Sequence, residues 1–583
     1  MFLNFLILVF SIPIVVLWLH SSPFRHALAR LRVPKFPENI PAVPFWVTLL
    51  PFVTRVELDQ TKIFDRHIKA PLRKHGAVKI FFGARWNILV HDPAYLRAIL
   101  ADDEQQWEKS GNHEKVPHSV VAAFLGHNII SSRGETWRKY RQMLTSSLAR
   151  SFDAEHDAVL RQANAHLCGP IQDHVDGNAP TDVSRLLQRY TSENTLESVF
   201  GVPGHHWKER EEWLQHFCEK HQQQLRDAIM AAAASPPLET EPERPPGLGN
   251  RLVAALREGS LTEKEFTDNL MVLFVASQEN PQLLLTSTLR LLAQHPASQQ
   301  RIHDELRSAL TRHSGALAPA LHDTPYLTAV VYEALRLYPP IAQLINRRAA
   351  RSGVLVPAGS DPAAHADAPR ALWVPAGTYL GYNAYSTNRD PVAWGPDADA
   401  FVPERWGGSA AAVRKAVSSR RARAEFVSFH GGRRACLGEQ YTLLLARLTL
   451  AVLVARFEWV VDPGWDGAMT AAGPLCTRNL KLMFRERPDP VSHVARRTWA
   501  ARSTHAATAR GTGVTRARRS ASRSGLATTR SASSVSYRET SSRAVRTWMA
   551  ASRLEMFLVV RKTFQPAATR GVTWSKAALI RLE

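Results

Sequence analysis

Four cysteines lie far apart in the 583-residue chain: Cys168, Cys218, Cys436 and Cys476. None forms a C-x-x-C pair or joins a Cys/His cluster, which argues against a disulfide framework and against structural zinc. Three of them read as small buried apolar side chains. Cys436 reads differently, because it lies in Phe429-His430-Gly431-Gly432-Arg433-Arg434-Ala435-Cys436-Leu437-Gly438, which fits F-x-x-G-x-R-x-C-x-G. Five fixed positions, each near one in twenty, should coincide by chance in about one of several thousand chains this long. A thiolate is a soft metal ligand. Backbone N–H groups near it lower its basicity and set the potential of a bound metal. The glycines permit turns closed to other residues and let the backbone come close to a flat partner.

Other charged and polar residues fall in patterns of their own. Glu333 and Arg336 sit at i, i+3 between the apolar Leu327, Val330, Val331 and Leu337, and Tyr338-Pro339-Pro340 ends that helix. A charge pair in such a setting is buried and needs further hydrogen-bonding partners. Pro403-Glu404-Arg405-Trp406 lies just downstream of Asp390-Pro391-Val392-Ala393-Trp394-Gly395-Pro396-Asp397. Trp137 and Arg141, at i, i+4 after Asn128-Ile129-Ile130-Ser131-Ser132, share one helical face. Ala276-Ser277-Gln278-Glu279-Asn280-Pro281 places an acid, an amide and a proline in mid-helix. The proline removes an i to i−4 hydrogen bond and predicts a kink there.

In this order and at these separations, the motifs between about residues 36 and 488 resemble those of the cytochromes P-450, most like fungal microsomal members. The resemblance implies a mainly α fold with small β-sheets, a large helical domain plus a minor β-rich domain, behind an N-terminal transmembrane helix. It implies haem b (iron protoporphyrin IX) with Cys436 as the metal ligand and Phe429, Gly432 and Gly438 shaping the loop. Arg434, Trp137, Arg141 and Arg347 become propionate partners, with Arg348 an equal candidate for the place of Arg347. Glu333, Arg336 and Arg405 become a structural triad rather than catalysts. The family usually has Gly and Thr where Ser277 and Asn280 stand. Glu279 and Asn280 are the catalytic expectation, passing protons through a water that the amide can hold.

These residues need elements to position them. The chain from 45 to 488 is mostly helical in pattern, with short strand-like runs such as Val78–Phe82 and Asn87–Val90. Thr262 and Glu265 form a capping box, and apolar residues recur from Phe266 to Leu292 before His295-Pro296. About 30 residues at 1.5 Å each give a helix of about 45 Å, enough to cross a domain. Tyr441 to Phe457 reads as the helix on which the cofactor packs. Ser235 to Gly249 and Pro357 to Pro369 read as surface loops. Segments Ser110–Leu125, Phe274–Glu279, Ile341–Ile345 and Pro474–Asn479 are expected to meet the substrate. Within them Val120, Val121, Phe124, Leu344 and Ile345 suit an apolar ligand or a core equally well.

The ends complete the organisation. Residues 1–20 are almost wholly apolar and predict a transmembrane anchor. The Arg25, Arg30, Arg32 and Lys35 that follow place the body on the cytosolic side of the endoplasmic reticulum membrane. Residues 21–44, with Pro34, Pro37, Pro41 and Pro44, form a connector. Net charge is +21, but residues 491–583 hold 18 Lys and Arg against three Asp and Glu, so 15 of those charges lie in the tail. The rest is ordinary for a globular protein, and no nucleic acid is expected as partner. Residues 489–583 read as a disordered basic tail or a gene-model artefact, such as a retained intron or shifted frame. The predicted activity is haem-dependent insertion of one atom of O2 into a lipophilic small molecule, as in secondary metabolism, with electrons from NADPH through a cytochrome reductase. The missing threonine leaves open phenol coupling, desaturation, rearrangement, or a degenerate haem-binding protein without turnover.

Overall fold

The computed structural model describes residues 30–48, 59–102, 104–117, 119–148, 156–202, 219–234, 247–357 and 371–488. The expected anchor, the 489–583 tail and most of both expected surface loops lie outside them. Among the described residues no helix is long and apolar enough to cross a membrane.

A helical body and a smaller sheet divide the work of positioning the site. The five-stranded sheet has the order β1 (Ala77–Phe82), β2 (Arg85–Val90), β8 (Tyr379–Asn383), β5 (Gln343–Ala349), β3 (Trp107–Lys109). Only the β2–β8 pairing is parallel. A short sheet orders β4 (Thr181–Asp182), β10 (Lys481–Glu486) and β9 (Phe457–Val461), and β6 (Gly353–Leu355) pairs with β7 (Leu372–Val374). The proline-rich segment docks on β1: Val43 N–H and Lys79 N–H each find a carbonyl across the gap at 2.8 Å, and Ile40 and Val43 are buried.

Among the helices, α1 (Pro93–Ala101), α2 (Val120–Leu125), α3 (Gly134–Leu148), α4 (Val183–Asn194), α5 (Glu263–Gln294), α6 (Pro325–Leu337) and α7 (Glu439–Arg456) matter most to the site. α5 starts where its capping box directs. Thr262 Oγ1 accepts from Glu265 N–H at 3.2 Å, while the Glu265 carboxylate accepts from Thr262 N–H at 2.9 Å. α7 is apolar nearly all round and therefore buried nearly all round, packed against α5 and α6. That packing fixes the N-terminal end of α7, to which the Cys436 loop is joined.

α5 continues through Pro281 as a single helix. The proline costs only the bond from position 281 to the Ser277 carbonyl, and neighbouring side chains brace the turn. Ser277 Oγ donates to Leu273 O at 2.6 Å, Asn280 Nδ2 donates to Ala276 O at 3.2 Å, and Gln282 Nε2 ties the helix to Ser184 O at 3.2 Å.

Candidate active site

The site is built around a turn that only glycine can make. Gly432 has φ +60°, and a Cβ there would stand 2.5 Å from Leu100 O at the end of α1. A Cβ on Gly431 would stand 2.9 Å from Leu100 Cδ1. This close approach seats the loop on α1. Cys436 N–H closes the loop onto Phe429 O at 3.0 Å, and Phe429 is buried. Gly438 caps α7, and a Cβ on it would meet nothing within 4 Å. Of the three cysteines among the described residues, Cys436 alone is exposed. Protein still crowds it closely enough that burial raises the thiol, opposed by the Gly438 N–H and by Arg141. A thiol so raised keeps its proton until a metal displaces it.

The predicted arginines gather on one side of the loop. Arg434 donates to Ser132 O at 3.0 Å and lies 4.0 Å from the Trp137 ring, while Arg141 Nη1 holds Ala435 O at 3.0 Å. The structure separates Arg347 from Arg348. A bulge between Ile345 and Arg347 in β5 re-aims the strand. Arg347 is then buried, donating to Trp107 O at 3.1 Å, whereas Arg348 turns outward to Glu108. Glu104, Trp137, Arg133, Arg347, Arg433 and Arg434 line a cavity of about 270 Å³.

Sequence reasoning missed three members of this neighbourhood. Glu104 receives both Arg434 and Arg347. Lys109, opposite Arg347 in the β3–β5 register, is buried, and burial beside Arg347 and Arg434 pushes its amine far down. His430 stacks on Tyr382 and shares a 2.8 Å hydrogen bond with its hydroxyl; burial keeps the ring neutral. Nothing local marks them, because strand pairing and the seating of α1 bring them together.

Glu333 and Arg336, both fully buried, meet in a two-pronged pair at 2.8 Å. Glu333 also accepts from Arg405 Nε, Val402 N–H and Trp406 Nε1, each at 3.0 Å. Arg336 spends its remaining donors on the carbonyls of Asn388, Ala398 and Ala400. Asn388 in turn holds Val427 N–H at 3.1 Å and Ser428 Oγ at 2.8 Å, just before the Cys436 loop. The triad therefore braces that loop through one residue.

On α5, Glu279 is half-buried and its carboxyl is raised by burial. Asn280 Oδ1 is buried without a hydrogen-bond partner among the described residues. The expected substrate segments divide. Phe274 belongs to the main core, Leu344 and Ile345 pack into sheet clusters, Ser110 is buried, and Phe124 is half-buried against the core. The side chains of Val120 and Val121 lie outside the described residues.

These residues fit haem b. Arg434 Nη1 and Arg347 Nε are buried donors without partners among the described residues, suited to carboxylates. Among the described residues no group of three or more His, Cys, Asp or Glu could hold a metal ion, so the single thiolate needs a metal whose other ligands arrive with it. A family model described as Cytochrome P450 matches residues 41–206 and 203–484. The chain belongs to the cytochrome P450 family. Cytochrome P450-DIT2 of Saccharomyces cerevisiae is 34% identical to it over an alignment 486 residues long that covers 77% of this chain and 94% of that one. Cytochrome P450 monooxygenase xanG of Aspergillus fumigatus is 31% identical over 484 residues, 76% of this chain and 86% of that one. Cytochrome P450 monooxygenase himC of Aspergillus japonicus is 26% identical over 428 residues, 66% and 72% respectively. This P450 is an oxidoreductase of the monooxygenase type, and haem b is its cofactor.

Proposed function

We propose that this P450 inserts one oxygen atom of O2 into a lipophilic small molecule of secondary metabolism, with NADPH electrons delivered by a membrane reductase. The observation that carries the reading is the accessible Cys436 thiol on its glycine turn, beside buried guanidinium groups with open donors. The haem, when bound, supplies the one-electron and dioxygen chemistry. Cys436 would hold the iron, its thiolate supplying electron density to it. Arg434, Arg347, Trp137 and Arg141 fix the cofactor's carboxylates and the loop. On the α5 side, Glu279, whose carboxyl burial raises, is the group that passes protons. A water on Asn280 Oδ1 and on the Ser277 carbonyl, freed by Pro281, hands them inward. Phe429, Gly432 and Gly438 shape the thiolate loop. In the same reading residues 1–20 anchor the chain in the endoplasmic reticulum membrane with the catalytic domain cytosolic, and residues 489–583 take no part in catalysis.

The test is turnover by the purified chain with a microsomal reductase, NADPH and isotopically labelled O2 over a panel of apolar compounds. Label in a product from wild type, and none from Cys436→Ser, is the expected result. NADPH consumption with a dehydrogenated or coupled product and no label would favour the second reading. Asn280 in the usual threonine position is the observation behind that alternative.

A further inference from the structure

Glu104 is an acid inside a cationic pocket. Its carboxylate is gripped side-on by Arg434, with Nη2 at 2.6 Å and Nε on the other oxygen, and Arg347 Nη1 reaches it at 3.3 Å. It holds this place from a left-handed backbone at φ +67°, three residues after α1 ends. That same helix end seats the glycine turn of the Cys436 loop. The turn, the helix end and the acid thus form one rigid unit, 330 residues apart in sequence. Each of the two arginines nevertheless keeps a buried nitrogen with no partner among the described residues, Nη1 of Arg434 and Nε of Arg347. Two guanidinium groups, one resident carboxylate and open donors make a site that is part-filled by the protein itself.

We propose that Glu104 shares Arg347 and Arg434 with the haem propionates, so that it weakens haem retention and holds the iron's reduction potential down. The inference rests on the family reading given above. With Glu104 in place, an incoming propionate meets arginines already committed to an anion, and its own charge lies beside another negative charge. That repulsion loosens the cofactor. The same negative charge favours ferric over ferrous iron, because reduction removes a positive charge that the anion stabilises. In the haem-free chain Glu104 is the counter-ion that lets two buried guanidiniums stay in place.

The experiment compares wild type, Glu104→Gln and Glu104→Asp as full-length holoproteins. Haem loss is followed by transfer to excess apomyoglobin, and the ferric–ferrous midpoint is read by spectroelectrochemistry. Glu135→Gln, which neutralises an exposed acid on α3, controls for net charge. Removing the competitor should slow haem loss by about tenfold, the size of one charge-assisted contact regained, and should move the midpoint upward. A tenfold shift in the ferric–ferrous equilibrium is about 59 mV for one electron. Glu104→Asp keeps the charge but shortens its reach, so it should also slow haem loss while the midpoint moves less; it serves alone if the glutamine variant does not fold. Haem loss that is unchanged or faster in the variants, or a midpoint that moves no more than in Glu135→Gln, overturns the proposal. A wild type that takes up no haem would sink the family reading instead.

Discussion

Replacing Glu333 with Gln changes one buried atom and one charge. The carboxylate, itself fully buried, accepts two bonds from Arg336 and one each from Arg405, Val402 N–H and Trp406 Nε1, all within 3.0 Å. An amide of the same shape turns one acceptor into a donor that faces donors. It also leaves Arg336 without a counter-charge in the core, since Arg336 otherwise bonds only to carbonyls, while Arg405 keeps Asp397 at 3.1 Å. Breaking a buried ion pair on one side costs about 3–5 kcal/mol. With a urea dependence of about 3 kcal/mol/M, the unfolding midpoint should fall by roughly 1 M or more. The assay is urea unfolding of the haem-free chain followed by tryptophan fluorescence, which Trp406 and Trp394 report from within the cluster. Because Arg336 bonds to Asn388, and Asn388 holds Val427 and Ser428, haem content of the expressed variant should fall as well. A midpoint within 0.3 M of wild type (a change of about 1 kcal/mol) would refute the reasoning.

Further predictions concern the loop, the proton path and pH. Gly432→Ala forces an L-residue to φ +60° with its Cβ against Leu100 O, and should cost about 1–3 kcal/mol in haem-free stability; Gly438→Ala, with open space around its Cβ, should stay within about 0.5 kcal/mol in the same melt while lowering haem loading. Asn280→Ala should raise NADPH consumed per product without changing haem loading, whereas unchanged coupling would remove Asn280 from the proton path. Burial raises the folded-state pKa of Glu279 above its unfolded value, so the folded chain holds that proton more tightly and loses stability as pH rises from the unfolded pKa through the folded one; Glu279→Gln should therefore flatten that part of the stability profile. Burial instead lowers His91 to about 4, so its contribution is present above pH 6.5 and is lost as pH falls toward 4. The loss is worth roughly 3 kcal/mol, and His91→Gln should lose less stability over that range in pH-dependent urea titrations.

What the sequence revealed and what it hid divide along the range of the interactions. The Cys436 loop was legible because its fixed residues lie in one short run, although the Leu100 contact that Gly431 and Gly432 answer lies far away in sequence. The capping box placed the start of α5, because both its partners lie within one turn. Glu333 and Arg336 could be paired by helical spacing, and Arg405 by the resemblance. The choice between Arg347 and Arg348 needed the bulge in β5, which depends on how β8 pairs alongside it. Glu104 and Lys109 gave no signal, since a Glu in Asp-Asp-Glu-Gln-Gln reads as solvated until α1 carries it to Arg434. The backbone bond lost at Pro281 does not end α5, which Ser277, Asn280 and Gln282 brace through contacts the sequence pattern does not show.

Thiolate ligation by Cys436 is the claim on which the rest depends. The most direct measurement is the absorption spectrum of the reduced, carbon-monoxide-bound protein, taken for wild type and for Cys436→Ser. The account predicts a thiolate-type Soret shift in wild type that is absent in the variant. A folded, haem-loaded wild type without that shift, or a Cys436→Ser protein that retains it, would contradict the account.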